Sequence, residues 1–213
     1  LLEGVKQGCQ IYNSAKMTLE EVLKVMREAC GKGQTVVRLH TGDPSLYGAI
    51  REQIDQLDQW KLPYDVTPGV SAFSGAAASL ARLGGAEYTL PDVSQTLVIT
   101  RMEGRTPVPE KERLRSLAAH QASMAIYLSA GMVSQVVEEL LAGGYPKDTP
   151  AAIVYKATWP EEKTLLAPLE TLPSVAKEHG ITKTALILVG DYLGDTYSRS
   201  KLYDPTFTTG FRE

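Results

Sequence analysis

The sequence predicts an α/β fold, built as two α/β domains with a ligand cleft between them. Short apolar runs typical of strands alternate with helical segments in both halves of the 213 residues, and this order is typical of α/β domains. A change of composition at Gly84-Gly85 and Leu90-Pro91 marks the boundary, so the predicted domains span 1–91 and 92–213. Small or polar residues follow several predicted strands, and a cleft between the halves would bring them together.

Composition and charge limit the class of protein. Hydrophobic residues make up 43% of the chain and charged residues 22%, which is ordinary for a globular protein. The formal net charge of −3 gives no electrostatic reason to expect a nucleic-acid partner. No apolar run approaches the roughly 20 residues of a membrane span, and no signal peptide is evident, so we expect no membrane partner and a cytoplasmic location.

The cysteines and histidines do not suggest a metal site or a disulfide framework. A reducing compartment would leave both Cys9 and Cys30 as thiols. The three histidines are far apart in the sequence and form no ligand spacing, so we expect no metal ion.

A strand–turn–helix unit is the most informative segment of the first half. The apolar run 35–39 predicts a strand, and 50–60 predicts a helix. In the turn between them, Asp43 can cap the helix and Pro44 suits its first position. Two interpretations stay open: a well-capped helix, or a ligand site in which Gly42 lets a ligand approach the backbone.

Three further elements are predicted in the first half. Residues 18–21, Thr-Leu-Glu-Glu, form a capping box that predicts the start of a helix. Residues 65–67 predict a short strand. The segment 68–78 predicts a turn that enters a helix with an unusually small face, which suits either tight helix–sheet packing or the close approach of a ligand.

The second half again alternates strands and helices. The predicted strands are 96–100, 124–128, 151–155 and 184–189, and the predicted helices are 111–120, 134–141 and 172–178. The tail from residue 196 has no clear periodicity.

Several common catalytic motifs are absent from the sequence. There is no dinucleotide fingerprint, no P-loop and no GxSxG nucleophile elbow. Paired carboxylates occur at 20–21, 138–139 and 161–162, and we expect each pair to lie on a solvated surface. The strand ends are rich in backbone donors and small side chains instead, which suits a site that holds a pre-activated cofactor in position.

Two arginines follow the predicted strand 96–100. Arginine binds carboxylates through two parallel hydrogen bonds, so Arg101 and Arg105 could hold a polycarboxylate substrate. The alternative is a surface loop in which they pair with Glu103 and Glu110.

Five segments, taken together and in order, resemble the tetrapyrrole (corrin/porphyrin) methyltransferase family. These segments are 36–48, 68–72, 127–129, 155–162 and 185–190. Within the family, 67–73 and 97–107 are most similar to the enzymes that methylate ring carbon C11 during cobalamin biosynthesis. The resemblance implies two α/β domains with a cleft, a homodimer, a tetrapyrrole substrate, and S-adenosylmethionine as methyl donor, with S-adenosylhomocysteine as product.

The resemblance also implies the site residues by position. Those implied to border the cofactor are Gly42, Asp43, Pro44 and Tyr47; those implied to contact its amino-acid part are Ser71 and Ala72; and those implied to line the adenosine pocket are Leu128, Ala157, Thr158 and Leu186. Those implied to bind substrate are Arg101, Met102 and Arg105. No general base is identified.

The sequence departs from the family at its start, and two alternative functions stay open. The family opens with a strand and a glycine- and proline-rich loop, and no segment here matches them, so we expect the true N-terminus to lie before Leu1. Within the family, the substrate could be another tetrapyrrole carbon, diphthamide or ribosomal RNA. Outside it, the chain could be a non-catalytic module that binds an adenosyl ligand.

Overall fold

A computed structural model of the chain describes residues 2–208 and 210–211. The chain separates into two compact units, Leu1–Ser71 and Ala72–Glu213. The predicted domains, 1–91 and 92–213, divide later in the chain and stay a prediction.

Two α-helices form most of the regular structure in the described part of the first unit. Helix α1 spans Leu19–Gly31 and helix α2 spans Arg51–Gln59. The predicted capping box is confirmed, because the Thr18 hydroxyl accepts from Glu21 N (3.3 Å) and Glu21 Oε2 accepts from Thr18 N (2.8 Å). Val22 and Met26 of α1 pack against Leu57 of α2.

The two strands predicted in the first unit are not formed. Residues 35–39 and 65–67 lie outside every strand of the described chain, so these predictions were wrong. A strand is stabilised by hydrogen bonds to a neighbouring strand, and the described part of this unit offers none. The side chains of Val37 (72% exposed) and Val66 (51% exposed) accordingly face solvent rather than a core.

The helix predicted over 50–60 is confirmed as α2, but the structure corrects its start. Its N-cap is Ile50, which makes no side-chain capping bond. Asp43 is therefore not the cap, and Pro44 begins a separate turn. Tyr47 (φ +57°) and Ala49 (φ +49°) lie between turn and helix in the left-handed region, so a continuous helix from Pro44 is impossible.

The second unit is organised around one five-stranded mixed sheet, so the predicted α/β class is confirmed. Its strands are β1 Leu97–Arg101, β2 Ser123–Tyr127, β3 Pro150–Tyr155, β4 Lys163–Pro168 and β5 Ala185–Val189. The order in the sheet is β1-β2-β5-β3-β4. β1 and β2 are parallel, β5 is antiparallel to both β2 and β3, and β4 is antiparallel to β3.

Four of these strands match the predictions, whereas β4 was missed. Strand β4 pairs with β3 along its whole length, from Lys163 opposite Tyr155 to Pro168 opposite Pro150. It lies at the edge of the sheet with none of its residues buried. An edge strand of this kind has neither a long apolar run nor strict alternation, and therefore gives a weak pattern.

Helices cover both faces of the sheet. They are α3 Ala72–Leu80, α4 Leu114–Ala118, α5 Val133–Ala142 and α6 Leu172–Glu178. Alternate residues of β2 belong to different apolar clusters: Met124 and Ile126 pack with α4, α5 and α6, while Ala125 packs with α3. This alternation is expected of a strand that is buried on both faces. Among the described helices, none combines the length and apolar character needed to cross a bilayer.

Candidate functional site

Asp43 joins two of the predicted cofactor segments within the first unit. Its Oδ1 accepts from Ser45 N (2.8 Å) and from the Ser45 hydroxyl, and its Oδ2 accepts from Gly69 N (2.9 Å). The hydrogen bond from the Ser45 hydroxyl, with smaller contributions from the two N–H groups, lowers the pKa of the Asp43 carboxyl. The turn at 42–44 therefore lies against the turn at 68–70, which leads into Ser71.

Close backbone packing at this junction requires glycine. A Cβ atom added at Gly69 would lie 2.1 Å from the carbonyl oxygen of Gly42. The same test at Gly48 gives 2.1 Å to the carbonyl oxygen of Pro44. Tyr47, directly before Gly48, lies in the left-handed region, and its side chain is exposed. The predicted residues Gly42, Pro44 and Tyr47 thus form one tight turn.

A second set of predicted residues meets at the start of α3 in the second unit. Phe73 N donates to Tyr127 Oη (2.8 Å), which fixes the first turn of α3 to the end of β2. Ala72 precedes Phe73, and Leu128 follows Tyr127. Leu128 has φ +53° and is 70% exposed, so an apolar side chain stands in solvent on a strained backbone.

The loop after β3 contacts the same helix. We call residues 156–162 the β3–β4 loop. Lys156 (φ +48°) and Thr158 (φ +68°) both adopt the left-handed region there. A Cβ atom at Gly75 would lie 3.5 Å from Thr158 Cγ2 and 3.9 Å from Ala157 Cβ, which is ordinary van der Waals distance, so the loop packs against α3 at this position. Ala72, Leu128, Ala157 and Thr158 are therefore all arranged around α3.

Leu186 differs from the other predicted adenosine residues because it is almost completely buried. It lies in β5, is 5% exposed, and belongs to the same apolar cluster as Ala76 and Leu80 of α3. It pairs across the sheet with Val154, just before the β3–β4 loop begins. Its place in the fold is beneath α3 rather than at an open surface.

Glu162 is the residue of this region whose role the sequence did not indicate. Its Oε2 accepts from Thr158 N (2.5 Å) and from the Ser79 hydroxyl (2.7 Å). The expectation that both carboxylates at 161–162 lie on a solvated surface holds for the exposed Glu161, and is corrected for the half-buried Glu162. No local signal could have found it, because Ser79 is distant in the chain.

The three residues implied to bind substrate share one cavity in the second unit. The cavity has a volume of about 510 Å³ and lies beyond the end of β1. Its lining consists of Arg101, Met102, Gly104, Arg105, Thr106, Leu128, Gly131, Met132 and Thr182. The structure thus brings the predicted substrate residues together with Leu128, and adds the thioether of Met132.

The two arginines of this cavity have different surroundings. Arg101 donates from Nη1 to the carbonyl oxygens of Met102 (3.3 Å) and Thr106 (3.1 Å), and from Nη2 to that of Pro107 (2.7 Å). Its guanidinium therefore holds the 102–107 loop together. Arg105 is exposed on that loop.

The alternative ion pairs expected for these arginines are not seen among the described residues. Glu103 pairs with Arg113 instead, at 3.8 Å. Over the same part of the chain, no group of three or more His, Cys, Asp or Glu side chains could hold a metal ion.

Comparison with known protein sequences identifies close relatives. The family model of tetrapyrrole (corrin/porphyrin) methylases matches residues 4–173. Cobalt-precorrin-4 C(11)-methyltransferase of Methanocaldococcus jannaschii is 52% identical, over 100% of this chain and 81% of that protein. The enzyme of the same name from Priestia megaterium is 43% identical, over 100% and 83%. Precorrin-4 C(11)-methyltransferase of Pseudomonas aeruginosa is 44% identical, over 95% and 79%.

Comparison with solved structures agrees with the sequence relatives. The X-ray structure of a cobalt-precorrin-4 methyltransferase, a cobalamin biosynthetic enzyme, superposes with a TM-score of 0.85 at 42% identity, covering 89% of this chain and 78% of that one. A uroporphyrin-III C-methyltransferase from Thermus thermophilus, complexed with S-adenyl homocysteine, has the same fold, with a TM-score of 0.66 at 24% identity over 82% and 74%. The chain therefore belongs to the tetrapyrrole (corrin/porphyrin) methylase family.

Proposed function

We propose that this chain transfers a methyl group from S-adenosylmethionine to C11 of precorrin-4, or of its cobalt form, in cobalamin biosynthesis. The observation that carries the proposal is 52% identity across the whole chain with a relative named cobalt-precorrin-4 C(11)-methyltransferase. The alternatives, another tetrapyrrole carbon or a non-catalytic adenosyl-binding module, have weaker support, because the three sequence relatives described above are all named for this one ring position.

The residues around α3 suit S-adenosylmethionine as the methyl donor. The small residues Ala72 and Ala157 leave room beside the helix, and exposed Leu128 offers an apolar surface. Non-glycine residues in the left-handed region are costly and cluster at ligand sites, and here Leu128 and Thr158 both follow strands of one sheet. When bound, the sulfonium supplies an electrophilic methyl carbon, so the protein mainly has to orient both reactants and exclude water.

The glycine turn of the first unit is held in shape by Asp43. Asp43 uses both carboxylate oxygens on Ser45 and Gly69, so its charge stabilises the turn and is not available as a base. We propose that Gly42, Pro44, Tyr47 and Ser71 contact the cofactor from this turn, and that Asp43 keeps the turn in shape.

The cavity beyond β1 would bind the carboxylate-bearing tetrapyrrole. Its volume of about 510 Å³ lies within the usual range for small-molecule sites. We propose that Arg105 contacts a substrate carboxylate, because its guanidinium stands exposed on the cavity loop. Arg101 would act by holding that loop, with Met102 and Met132 presenting apolar surface to the ring.

We also propose that the protein works as a homodimer in the cytoplasm. The homodimer is what the family resemblance implies, and the cytoplasmic location is the expectation stated above from the sequence. Gel filtration with light scattering tests the first, and fractionation of the producing cells tests the second.

Calorimetric titration with S-adenosylhomocysteine, with ATP as control, tests the proposed function. We expect binding of S-adenosylhomocysteine alone. Incubation with S-adenosylmethionine and precorrin-4 or cobalt-precorrin-4 should then give a product methylated at C11, identified by mass spectrometry and NMR. Cofactor binding without any methylation would favour the non-catalytic adenosyl-binding module. Methylation at another position would favour the alternative that the enzyme methylates a ring carbon other than C11. Absence of S-adenosylhomocysteine binding would contradict the methyltransferase function itself.

A further inference from the structure

The β3–β4 loop has an unusual backbone that needs to be held in place. Thr158 is β-branched and has φ +68°, a conformation that such residues rarely adopt. Lys156 is also in the left-handed region. Backbone strain of this kind persists only when the surroundings over-determine it.

One carboxylate oxygen supplies a link between the loop and α3. Glu162 Oε2 accepts from the Thr158 N–H at 2.5 Å and from the Ser79 hydroxyl at 2.7 Å. Ser79 lies one helical turn after Gly75, beside which Thr158 Cγ2 packs. The loop therefore meets α3 twice, once by packing at Gly75 and once by the hydrogen bonds of Glu162.

We propose that Glu162 is a positioning residue for the cofactor site. It acts through Thr158 and Ala157, which it holds against α3, without touching the cofactor itself. Charge-assisted hydrogen bonds are stronger than neutral ones, so an ionised carboxylate suits this task. This inference rests on the proposed function, because it takes Ala157 and Thr158 as part of the adenosine pocket.

The neighbouring Glu161 makes a matched control. It lies in the same loop, carries the same charge and pairs with Lys156 at 3.1 Å. Lys156 also lies over the rings of Tyr155 and Trp159, at 5.5 Å and 5.2 Å from their centroids. Glu161 is exposed and accepts its hydrogen bond from Lys156 rather than from Thr158, so loss of its charge should have little effect on cofactor affinity.

The test compares Glu162→Ala, Glu162→Gln and Glu161→Gln by calorimetric titration with S-adenosylhomocysteine. We expect Glu162→Ala to raise the Kd at least about tenfold, because a charge-assisted hydrogen bond is lost. Glu162→Gln keeps an oxygen that can accept from Thr158 and should recover most of that affinity. Glu161→Gln should stay within about twofold of the parent protein.

Thermal unfolding separates positioning from a general effect on stability. The Tm of each variant is measured with and without saturating S-adenosylhomocysteine. The rise in Tm caused by the ligand should be smaller in Glu162→Ala than in Glu161→Gln, whatever the Tm of each variant without ligand. If Glu162→Ala does not fold, Ser79→Ala removes the anchor of Glu162 on α3, together with the contact of the Ser79 hydroxyl with the Gly75 carbonyl oxygen (3.1 Å), and should also raise the Kd. A folded Glu162→Ala, or in its place Ser79→Ala, with unchanged Kd would overturn the inference. Failure of the parent protein to bind S-adenosylhomocysteine would instead overturn the proposed function.

Discussion

Two buried tyrosines of the second unit differ in whether a partner lies within reach of the hydroxyl. Tyr145 Oη donates to the carbonyl oxygen of Ala122. The Tyr192 hydroxyl is fully buried, and among the described residues it has no hydrogen-bond partner. Burial raises the pKa of Tyr192, so the hydroxyl stays neutral. The Tyr192 ring packs 5.0 Å from the ring of Tyr88.

We therefore predict opposite effects for the same chemical change at these two positions. Tyr192→Phe keeps the ring contacts and removes an unsatisfied polar group, so the free energy of unfolding should rise by about 1 kcal/mol. Tyr145→Phe leaves the Ala122 carbonyl without its donor and should lower it by about 1 kcal/mol. Urea unfolding followed by circular dichroism measures both. A loss of stability in Tyr192→Phe would contradict the assigned environment.

Asp43 is a second residue whose contribution can be isolated. Its pKa is lowered in the folded protein by hydrogen bonds from Ser45 and Gly69. A depressed carboxyl pKa contributes stability above its unfolded value of about 3.9, and this contribution is lost as the pH falls through the folded pKa.

Asp43→Asn should accordingly be less stable than the parent protein near neutral pH, and the difference should shrink below about pH 4. Urea unfolding at both pH values measures this. Asp148→Asn, at an exposed carboxyl for which the described chain provides no hydrogen bond or ion pair, is the control and should show no such trend. A stability difference for Asp43→Asn that is independent of pH would be evidence against the assigned bonds.

At the scale of elements, the meeting of two turns depends on one glycine. A Cβ atom at Gly69 would lie 2.1 Å from the carbonyl oxygen of Gly42, and both atoms belong to the backbone. Gly69→Ala should therefore separate the turns, lower the free energy of unfolding by about 2 kcal/mol or more, and weaken S-adenosylhomocysteine binding. Gly31→Ala, which meets no atom within 4 Å at the end of α1, should leave both unchanged or raise stability slightly. Equal behaviour of the two variants would refute the close approach.

The loop after β1 allows a similar comparison between its two arginines. Arg101 donates three hydrogen bonds within the loop, whereas Arg105 is exposed on it. Arg105→Ala should raise the KM for the tetrapyrrole about tenfold, with Tm and S-adenosylhomocysteine affinity unchanged. Arg101→Ala should lower the Tm as well as weaken substrate binding. If Arg105→Ala had no effect on KM, the proposed substrate contact would be wrong.

The elements that could be predicted from sequence are those whose evidence lies within the segment itself. The strands β2, β3 and β5 are continuous apolar runs, and the capping box at Thr18 needs only four residues. Formation of a strand at 35–39 depends on a neighbouring strand, which the sequence of this segment does not specify. The edge strand β4 shows the reverse case, because pairing with β3 forms a strand where the pattern is weak.

At the scale of the whole molecule, the two compact units differ in how much structure protects their backbone. The second unit has a five-stranded sheet with buried clusters on both faces. The described part of the first unit has two α-helices with a small apolar cluster, and its segments 35–39 and 65–67 belong to no helix or strand.

Amide hydrogen exchange should reflect this difference directly. We expect 35–39 and 65–67 to exchange near the rate of unprotected amides, while β2 and β5 exchange only on larger unfolding events. Mass spectrometry of peptic fragments resolves these segments, and α1 serves as an intermediate reference. Strong protection at 35–39 would show that this segment is hydrogen-bonded after all.

The distance between contacting residues in the chain also explains which parts of the proposed site could be predicted from the sequence. The turn at 42–44 and the arginines after β1 are local motifs, and resemblance to the family assigned them without knowledge of the fold. Glu162 could not be found in this way, because Ser79 lies on a different element and the pair 161–162 looks like ordinary surface charge. Likewise, the bonding of Arg101 to its own loop is visible only once the loop is folded.

The position of β5 in the sheet has a consequence for how the protein is made. β5 is the last strand of the described residues, yet it lies in the middle of the sheet, between β2 and β3. During synthesis on the ribosome, the pairs β1-β2 and β3-β4 emerge before β5. No strand joins the two pairs until residues 185–189 leave the exit tunnel. Until then the edges of β2 and β3 that β5 later covers stay open to other nascent chains. Translation stalled before residue 185 would therefore release an aggregation-prone product.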